Sequence, residues 1–172
     1  MRHDGLNDLL VIRNVGVKKY MNIEIIQANL DDASEILALQ KIAYQKEASL
    51  YNDWNIPPLT QTLPEIQKEF KTNVFVKAIL GDRIIGSVRA WLNSDTCMIG
   101  RLIVHPEYQR KGIGTLLMQK IESQFPNAKR FELFTGTKSI DNIRLYQKLG
   151  YVEYRQENLS PKVRIVFMEK FK

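Results

Sequence analysis

A loop with two glycines and two adjacent cations is the first stretch of the sequence that could bind a ligand. It reads Gln109-Arg-Lys-Gly-Ile-Gly114 and follows an apolar run that Pro106 interrupts. Proline removes a backbone donor and favours extended geometry in the residue before it, so a strand should end near His105. Apolar residues recur at helical spacing beyond the loop. Several free backbone N–H groups would then converge at a helix start, with Arg110 and Lys111 behind them, which suits a phosphorylated ligand.

This loop alone leaves its function open. Its spacing is not that of the dinucleotide-binding G-x-G-x-x-G, because Leu117 stands three residues after Gly114. A flexible loop before a surface helix would have the same composition. Residues 81–87 have the glycine spacing of a P-loop, but they lack its lysine and are rich in strand-forming residues, so they predict a hairpin.

A second stretch, residues 139–151, places polar side chains on one face of a helix. Ser139 can cap this helix, and Asn142 and Tyr146 lie four residues apart. Gly150 suits the left-handed position after a helix end, and Tyr151 begins the next strand. Without further context, Tyr146 could equally be a packing aromatic.

The elements that must position these residues follow from the apolar pattern. Asp31 is a suitable N-cap for a first helix ending between Gln45 and Ala48, and Thr62 to Glu65 forms a capping box for a second. Two more helices follow the glycine loop and Ser139. The sequence also predicts about seven strands, which begin near residues 22, 74, 84, 96, 130, 151 and 163.

This order predicts a mixed α/β fold of α+β character, with a twisted, mostly antiparallel sheet and about four flanking helices. The strand–helix–strand units at residues 96–135 and 129–157 can supply parallel pairing by right-handed crossover. At 172 residues, the chain is most simply one domain. We assign it to residues 21–172 and interpret residues 1–20 as an N-terminal extension, favouring a disordered terminus over an ordered extra element.

Composition narrows the function classes. No apolar run approaches the roughly 20 residues of a membrane-spanning helix, and no secretory signal is visible, so we expect a cytoplasmic protein that does not use the membrane. The net charge of +6 permits an anionic partner, but the basic residues are dispersed, which argues against nucleic-acid binding. Cys97 is the only cysteine and there are two histidines, so we expect a buried structural thiol and no metal site.

The two stretches together resemble one family. Residues 104–114, Val-His-Pro-Glu-Tyr-Gln-Arg-Lys-Gly-Ile-Gly, resemble the acetyl-CoA-binding motif V-x-P-x-x-[QR]-x-x-G-x-[GA] of the GNAT superfamily of N-acetyltransferases. Residues 142–151, Asn-Ile-Arg-Leu-Tyr-Gln-Lys-Leu-Gly-Tyr, are similar to its downstream motif N-x-x-x-Y-x-K-x-G-[FY]. The resemblance covers residues 22–170 and implies a single GNAT domain whose sheet has a central parallel splay.

The resemblance implies a role for each matching position. The acetyl-CoA-binding residues would be Leu102, Ile103 and Val104 for the pantetheine arm, with Gln109, Arg110, Lys111, Gly112, Ile113, Gly114 and Thr115 at the pyrophosphate. Tyr146 would face the departing sulfur as the general acid candidate. Either Ser139 or Asn142 would add a polar contact to the cofactor, and the sequence does not decide which.

The implied reaction transfers an acetyl group from acetyl-CoA to a primary amine by direct attack in a ternary complex, which needs no enzyme nucleophile and no metal. Glu132 is a candidate for the general base, His105 is a second, and a water chain to solvent is a third. The alternative is a non-catalytic acyl-CoA-binding sensor or partner module of the same fold. The acceptor, a small-molecule or peptide amine, should be selected by residues 44–62 and the last strands, and a homodimer would suit the family.

Overall fold

The computed structural model describes residues 8–12 and 21–172. Eight strands form one sheet in the order β1-β2-β3-β4-β5-β6-β8-β7. Their bounds are β1 Asp8–Ile12, β2 Met21–Gln27, β3 Val74–Leu80, β4 Arg83–Asn93, β5 Thr96–Val104, β6 Arg130–Gly136, β7 Val152–Asn158 and β8 Arg164–Phe171. The helices are α1 Ala33–Ala43, α2 Gln45–Tyr51, α3 Pro57–Thr60, α4 Leu63–Glu69, α5 Ile113–Ser123 and α6 Ile140–Lys148.

This architecture confirms the predicted fold class. Every strand pair is antiparallel except β5 with β6. Strands β2 to β8 are the seven that the sequence predicts, and β1 adds an eighth by pairing with β2. Residues 1–7 and 13–20 of the predicted extension lie outside the described residues.

The parallel pairing occurs once and is short. Residues 96–98 of β5 pair with residues 130–132 of β6, and the two strands share no other pair in the described chain. The second unit, residues 129–157, gives no adjacent parallel pair, because β8 inserts between β6 and β7 and pairs antiparallel with both. The later part of β5 therefore has a neighbour on its β4 side only.

A bulge in β5 begins where this gap opens. Arg89 pairs with Gly100 and Ser87 pairs with Ile103, so Arg101 and Leu102 together oppose the single residue Val88. Arg101 has a φ of +53°, a conformation that L residues other than glycine adopt at a cost of roughly 1–2 kcal/mol. The bulge changes which side chains of β5 face each layer of helices.

Helices cover both faces of the sheet. Helix α5 buries Ile113, Leu117, Met118 and Ile121 against one face, in a core cluster that also contains Tyr146 of α6. Helices α1 and α4 cover the other face, with Ile36 and Ile66 in a second cluster. Within the described residues, no helix is long and apolar enough to cross a membrane.

Cys97 lies in the core between these layers and is fully buried. Burial, and secondarily the charge of Glu122, raises the pKa of its thiol to about 12. We therefore expect native protein at pH 8 to react with a thiol-specific reagent at least about 10³-fold more slowly than free cysteine, because the thiolate is both scarce and inaccessible. Measured labelling rates should show this, with one thiol per chain reacting after denaturation; rapid labelling of folded protein would contradict it.

Candidate functional site

The loop between β5 and α5 holds its shape through backbone bonds and one side chain. The N–H of His105 donates to Ile85 O, and residues 106–108 form one 3-10 turn. Gln109 Nε2 then donates to Val104 O at 3.1 Å, which ties the loop back to the end of the strand. The strand thus ends at Val104, next to the end predicted near His105, and Gln109 stabilises the turn that follows.

The start of α5 presents free N–H groups. Arg110 and Gly112 adopt left-handed φ values of +60° and +82°, which turn the chain into the helix. Gly112 occupies the N-cap position and no side chain caps the helix, so the first-turn N–H groups have no partner of that kind. A Cβ added at Gly112 would meet nothing within 4 Å, which leaves room for a ligand at these N–H groups.

The two cations of the loop differ in their surroundings. Arg110 Nη2 lies 3.4 Å from Asp141 Oδ2 at the start of α6, and both side chains are exposed. Arg110 and Lys46 together lower the pKa of Asp141. Lys111 Nζ lies 5.3 Å from the ring centroid of Tyr108. The loop is therefore linked to α6 by a solvent-exposed ion pair, and pairs of this kind contribute little to stability.

Leu102 to Val104 form the strand edge beside the loop. They pair with β4 through Gly86 and Ser87, and the gap beyond residue 98 leaves their other side without a β6 partner. An edge of this kind can pair with an extended ligand as with another strand. The Val104 carbonyl already accepts the bond from Gln109.

Tyr146 lies in the core at this gap. It is 6% exposed, and its ring meets that of Tyr151 edge-on at a centroid distance of 6.1 Å. Burial, with Tyr44 and Glu47 nearby, raises its pKa well above the ordinary value. Its hydroxyl makes no hydrogen bond to another described residue, so it is available to a ligand.

Helix α6 brings the two sequence motifs together. A Cβ added at Gly114 would stand 3.2 Å from Leu145 Cδ2 and 3.9 Å from Leu102 Cδ2. Leu145 is the residue before Tyr146, so the glycine loop, the open strand edge and the tyrosine meet at one place. This convergence is the main feature of the candidate site.

Ser139 and Asn142 have separate environments. Ser139 is buried at the N-cap position of α6, yet its hydroxyl makes no cap bond and donates to the Glu47 carboxylate at 2.6 Å. Asn142 Nδ2 approaches Thr135 Oγ1 at 3.4 Å, which is a weak contact. Asn142 is therefore the freer of the two to contact a ligand.

Glu132 occupies an ion-pair network away from Tyr146. Its carboxylate lies 2.6 Å from Arg130 Nη2, and Arg130 also binds Glu169 at 2.6 Å. The residues immediately before and after Glu132 pack in the same core cluster as Tyr146. Because side chains alternate along a strand, Glu132 points to the opposite face. This arrangement argues against the predicted role of Glu132 as general base.

Helix α2 contributes residues that the motifs do not include. Glu47 binds Ser139, and Tyr51 accepts a hydrogen bond from the Lys138 N–H at 2.8 Å. Gly136 is required beside Tyr51, because a Cβ there would lie 2.2 Å from the Tyr51 hydroxyl. Both residues fall within residues 44–62, the segment expected to select the acceptor, but no local pattern in the sequence distinguishes them from other helix residues.

The described residues contain no group of three or more potential metal-ligating side chains. The candidate site consists of backbone N–H groups, an open strand edge, a buried tyrosine and side chains of α2.

Comparison with known proteins supports one family. A family model described as "Acetyltransferase (GNAT) family" matches residues 35–151. The UPF0157 protein YqkA of Bacillus subtilis (strain 168) is 32% identical over 119 residues, which are 69% of this chain and 34% of that protein. The chain thus spans about a third of the length of this curated relative.

Solved structures share the fold. The PaiA N-acetyltransferase of Thermoplasma acidophilum, in complex with coenzyme A, aligns with a TM-score of 0.73 at 18% identity, over 88% of this chain and 100% of that one. YncA of Salmonella typhimurium, a putative acetyltransferase with its cofactor acetyl-CoA, aligns with a TM-score of 0.69 at 16% identity, over 87% and 94% of the two chains.

Proposed function

Because the chain belongs to the acetyltransferase (GNAT) family, we propose that it transfers the acetyl group of acetyl-CoA to a primary amine by direct attack within a ternary complex. One observation carries the proposal: the glycine loop, the open edge at residues 102–104 and Tyr146 meet where β5 leaves β6. Such a meeting point can hold the pyrophosphate and the pantetheine arm of an acyl-CoA and leave its thioester beside the tyrosine.

Acetyl-CoA would bind through backbone groups more than side chains. The N–H groups of residues 110–115 would bind the pyrophosphate, with the dipole of α5 and the charge of Lys111 adding to the attraction. Residues 102–104 would pair with the pantetheine arm. Relatives of this fold were solved with coenzyme A and with acetyl-CoA, which supports this cofactor.

Other residues would support cofactor binding either by direct contact or by holding neighbouring residues in place. Asn142 would contact the cofactor directly, whereas Ser139 would act by holding Glu47. Gln109 would keep the loop in place through Val104 O, and Arg110 would do so through its contact with Asp141.

The reaction forms a C–N bond, breaks a C–S bond and removes one proton from the amine nitrogen. The neutral amine nitrogen attacks the thioester carbonyl, the new C–N bond forms, and the C–S bond breaks to release the thiolate of CoA. The amine loses one proton to solvent or to a base, and the thiolate gains one or is stabilised by a hydrogen bond. Tyr146 would supply that hydrogen bond, since its hydroxyl is free among the described residues.

Complete proton transfer from Tyr146 to the thiolate is unfavourable. A thiol has a pKa of about 8.5 and a tyrosine of about 10, so transfer is uphill by roughly 2 kcal/mol before burial is considered. Burial raises the pKa of Tyr146 further. We therefore propose that Tyr146 stabilises the leaving sulfur mainly as a hydrogen-bond donor.

Glu47 replaces Glu132 as the proposed proton acceptor. Its charge acts on the pKa of Tyr146, and its carboxylate is held by Ser139 at the start of α6. A carboxylate in this position can accept a proton from the attacking amine directly or through water. Glu132 is instead paired with Arg130, which itself binds Glu169.

A thiol-release assay with a panel of amines tests the proposal. We expect CoA to be released from acetyl-CoA only when an acceptor is present, at a rate that saturates with both substrates. The assay suits this protein because buried Cys97 should add no background. Binding of CoA by calorimetry without acceptor-dependent release from any amine would instead favour a non-catalytic acyl-CoA-binding module.

A further inference from the structure

An open groove lies between the α3–α4 segment and the bulged part of β5. It encloses about 510 Å³ and is lined by Pro57, Thr60, Gln61, Glu65, Lys68, Glu69, Thr72 and Arg101. We call it the α3–α4 groove. Most of its lining residues lie within and just after residues 44–62, the segment expected to select the acceptor. A ligand bound in this groove would therefore be part of the acceptor and not of the cofactor.

The carboxylates of the groove already have partners. Glu69 accepts a hydrogen bond from Gln61 Nε2 at 2.7 Å, and its other oxygen lies 2.9 Å from Arg89 Nη1. Glu65 accepts bonds from the Thr62 N–H and hydroxyl in the capping box, which lowers its pKa. Both acids therefore already have partners within the protein.

Arg101 has no such partner. No carboxylate of a described residue lies within 4.0 Å of its guanidinium, and its Nε is buried without a hydrogen bond. The guanidinium instead lies 5.8 Å from the ring centroid of Tyr44. Its left-handed φ of +53° places a strained backbone at the same residue, and such strain concentrates at functional sites.

A second arginine beneath the groove adds positive charge to this region. Arg89 is 4% exposed, and its pKa falls to about 10, chiefly through burial and with Arg101 contributing. Arg89 Nη1 approaches Glu69 closely but makes no well-directed hydrogen bond there. Arg89 therefore has the carboxylate of Glu69 beside it, whereas Arg101 has no carboxylate of a described residue within 4.0 Å, and this imbalance favours an added anion near Arg101.

The groove is connected to the candidate site through Tyr44. Arg101 immediately precedes the open strand edge at residues 102–104, and it stacks on Tyr44. Tyr44 in turn acts on the pKa of Tyr146. An acceptor whose amine reaches the thioester would therefore extend toward Arg101.

We propose that the α3–α4 groove binds a carboxylate of the acceptor, so that the substrate is an amine that also carries a carboxylate, such as an amino acid or a short peptide. Arg101 is the principal contact, because its planar guanidinium presents paired donors that match a carboxylate. Lys68 adds a second cation at the rim. This inference rests on the proposed acetyl transfer, whose acceptor class it specifies.

Matched acceptors test the inference by turnover. Each amino acid is compared with its carboxamide and with the amine that lacks the carboxyl group. We expect kcat/KM for the best amino acid to exceed that of its two analogues by about 30-fold or more, because the half-buried Arg101 would be left without its anion. Dipeptides with free and amidated carboxyl ends distinguish a peptide from a free amino acid.

Variants assign the effect to the groove. Arg101→Gln should reduce kcat/KM for the carboxylate acceptor by about 30-fold and leave the decarboxylated amine unchanged, and Arg101→Lys should restore part of the loss. Lys71→Gln is the matched control, since it removes an exposed cation just outside the groove. Equal rates for an amino acid and its carboxamide, or an equal loss for both acceptors in Arg101→Gln, would overturn the inference.

A binding measurement separates this inference from the proposed function. N-acetyl-L-alanine and N-acetyl-L-alaninamide are titrated by NMR into the CoA-saturated protein, and we expect only the acid to bind, and only when Arg101 is present. This readout needs no turnover. If no amine is acetylated but the acid binds through Arg101, the carboxylate site is confirmed and the proposed acetyl transfer is wrong. If acetylation proceeds but the acid and the amide bind equally well, the proposed carboxylate site is wrong and the acetyl transfer is confirmed.

Discussion

Replacing Tyr146 with phenylalanine should lower kcat by about 10²-fold and change the affinity for acetyl-CoA little. The hydroxyl is free among the described residues, whereas the ring is packed in the core. The substitution removes the hydrogen bond to the leaving sulfur and keeps the packing. Steady-state kinetics together with calorimetric titration of CoA would separate the two effects.

Tyr151→Phe is the matched control for this prediction. Tyr151 touches the ring of Tyr146, but its own hydroxyl donates to Glu122 at 2.7 Å. Its loss should reduce the free energy of unfolding by about 1 kcal/mol and leave kcat nearly unchanged. Turnover at the wild-type rate in Tyr146→Phe would remove Tyr146 from the mechanism.

The raised pKa of Tyr146 also predicts how kcat/KM should change with pH. A tyrosine whose pKa lies above its ordinary value stays protonated, and so remains a donor, through pH 10. An alkyl amine of pKa about 10.4 becomes a nucleophile as pH rises. With an alkyl-amine acceptor, kcat/KM should therefore increase up to about pH 10 with no descending limb from Tyr146. A descending limb below pH 9 that disappears in Tyr146→Phe would contradict this assignment.

Replacing Gly112 with aspartate should weaken CoA binding by about 30- to 100-fold relative to asparagine at the same position. Both side chains fit, since nothing lies within 4 Å of the added Cβ, and both tolerate the left-handed φ better than other residues. Only aspartate places a negative charge beside the N–H groups proposed to bind the pyrophosphate, where like charges a few ångströms apart repel by about 3 kcal/mol before salt screening.

The asparagine variant controls for strain and bulk in this comparison. Aspartate at the start of α5 also interacts well with the helix dipole, so the folded protein should not lose stability relative to asparagine. Calorimetry at two salt concentrations would measure the ratio, which should shrink as salt rises. Equal affinities for the two variants would place the pyrophosphate elsewhere.

Much of the fold is predictable because its signals are local. The glycine loop, the hairpin turn at Gly81 and the capping box at Thr62 all depend on residues close together in sequence, and each is found as predicted. The start of the first helix differs from the prediction. Asn29, not Asp31, caps a short 3-10 turn there, because its side chain accepts from the Asp31 N–H while Asp32 closes the capping box.

Other features depend on distant residues and leave no local pattern. The insertion of β8 between β6 and β7 follows from which strands can bury their apolar faces together, and the linear order does not specify it. The same holds for the functional residues. The bond between Ser139 and Glu47 joins positions 92 residues apart, and the lack of a partner for Arg101 is visible only once the sheet is assembled.

Glu132 is a residue whose surroundings also depend on distant parts of the chain. A carboxylate on the strand before the second motif is a reasonable base when only the sequence is known. The strand pairing then places it opposite Met98 and Glu169, on the face where Arg130 neutralises it. The partners that a strand residue meets depend on the strand pairing, and that pairing depends on residues distant in sequence.

Because only three residue pairs in the described part of the chain join β5 to β6, we expect the sheet to open as two units in hydrogen exchange. Strands β1 to β5 form one, and β6, β8 and β7 form the other, so local opening at the junction should expose few hydrogen bonds. A ligand that lies in the gap would contact both units and resist their separation. Amide hydrogen exchange should then slow in β6 to β8 when acetyl-CoA binds, although most of those residues would never touch it.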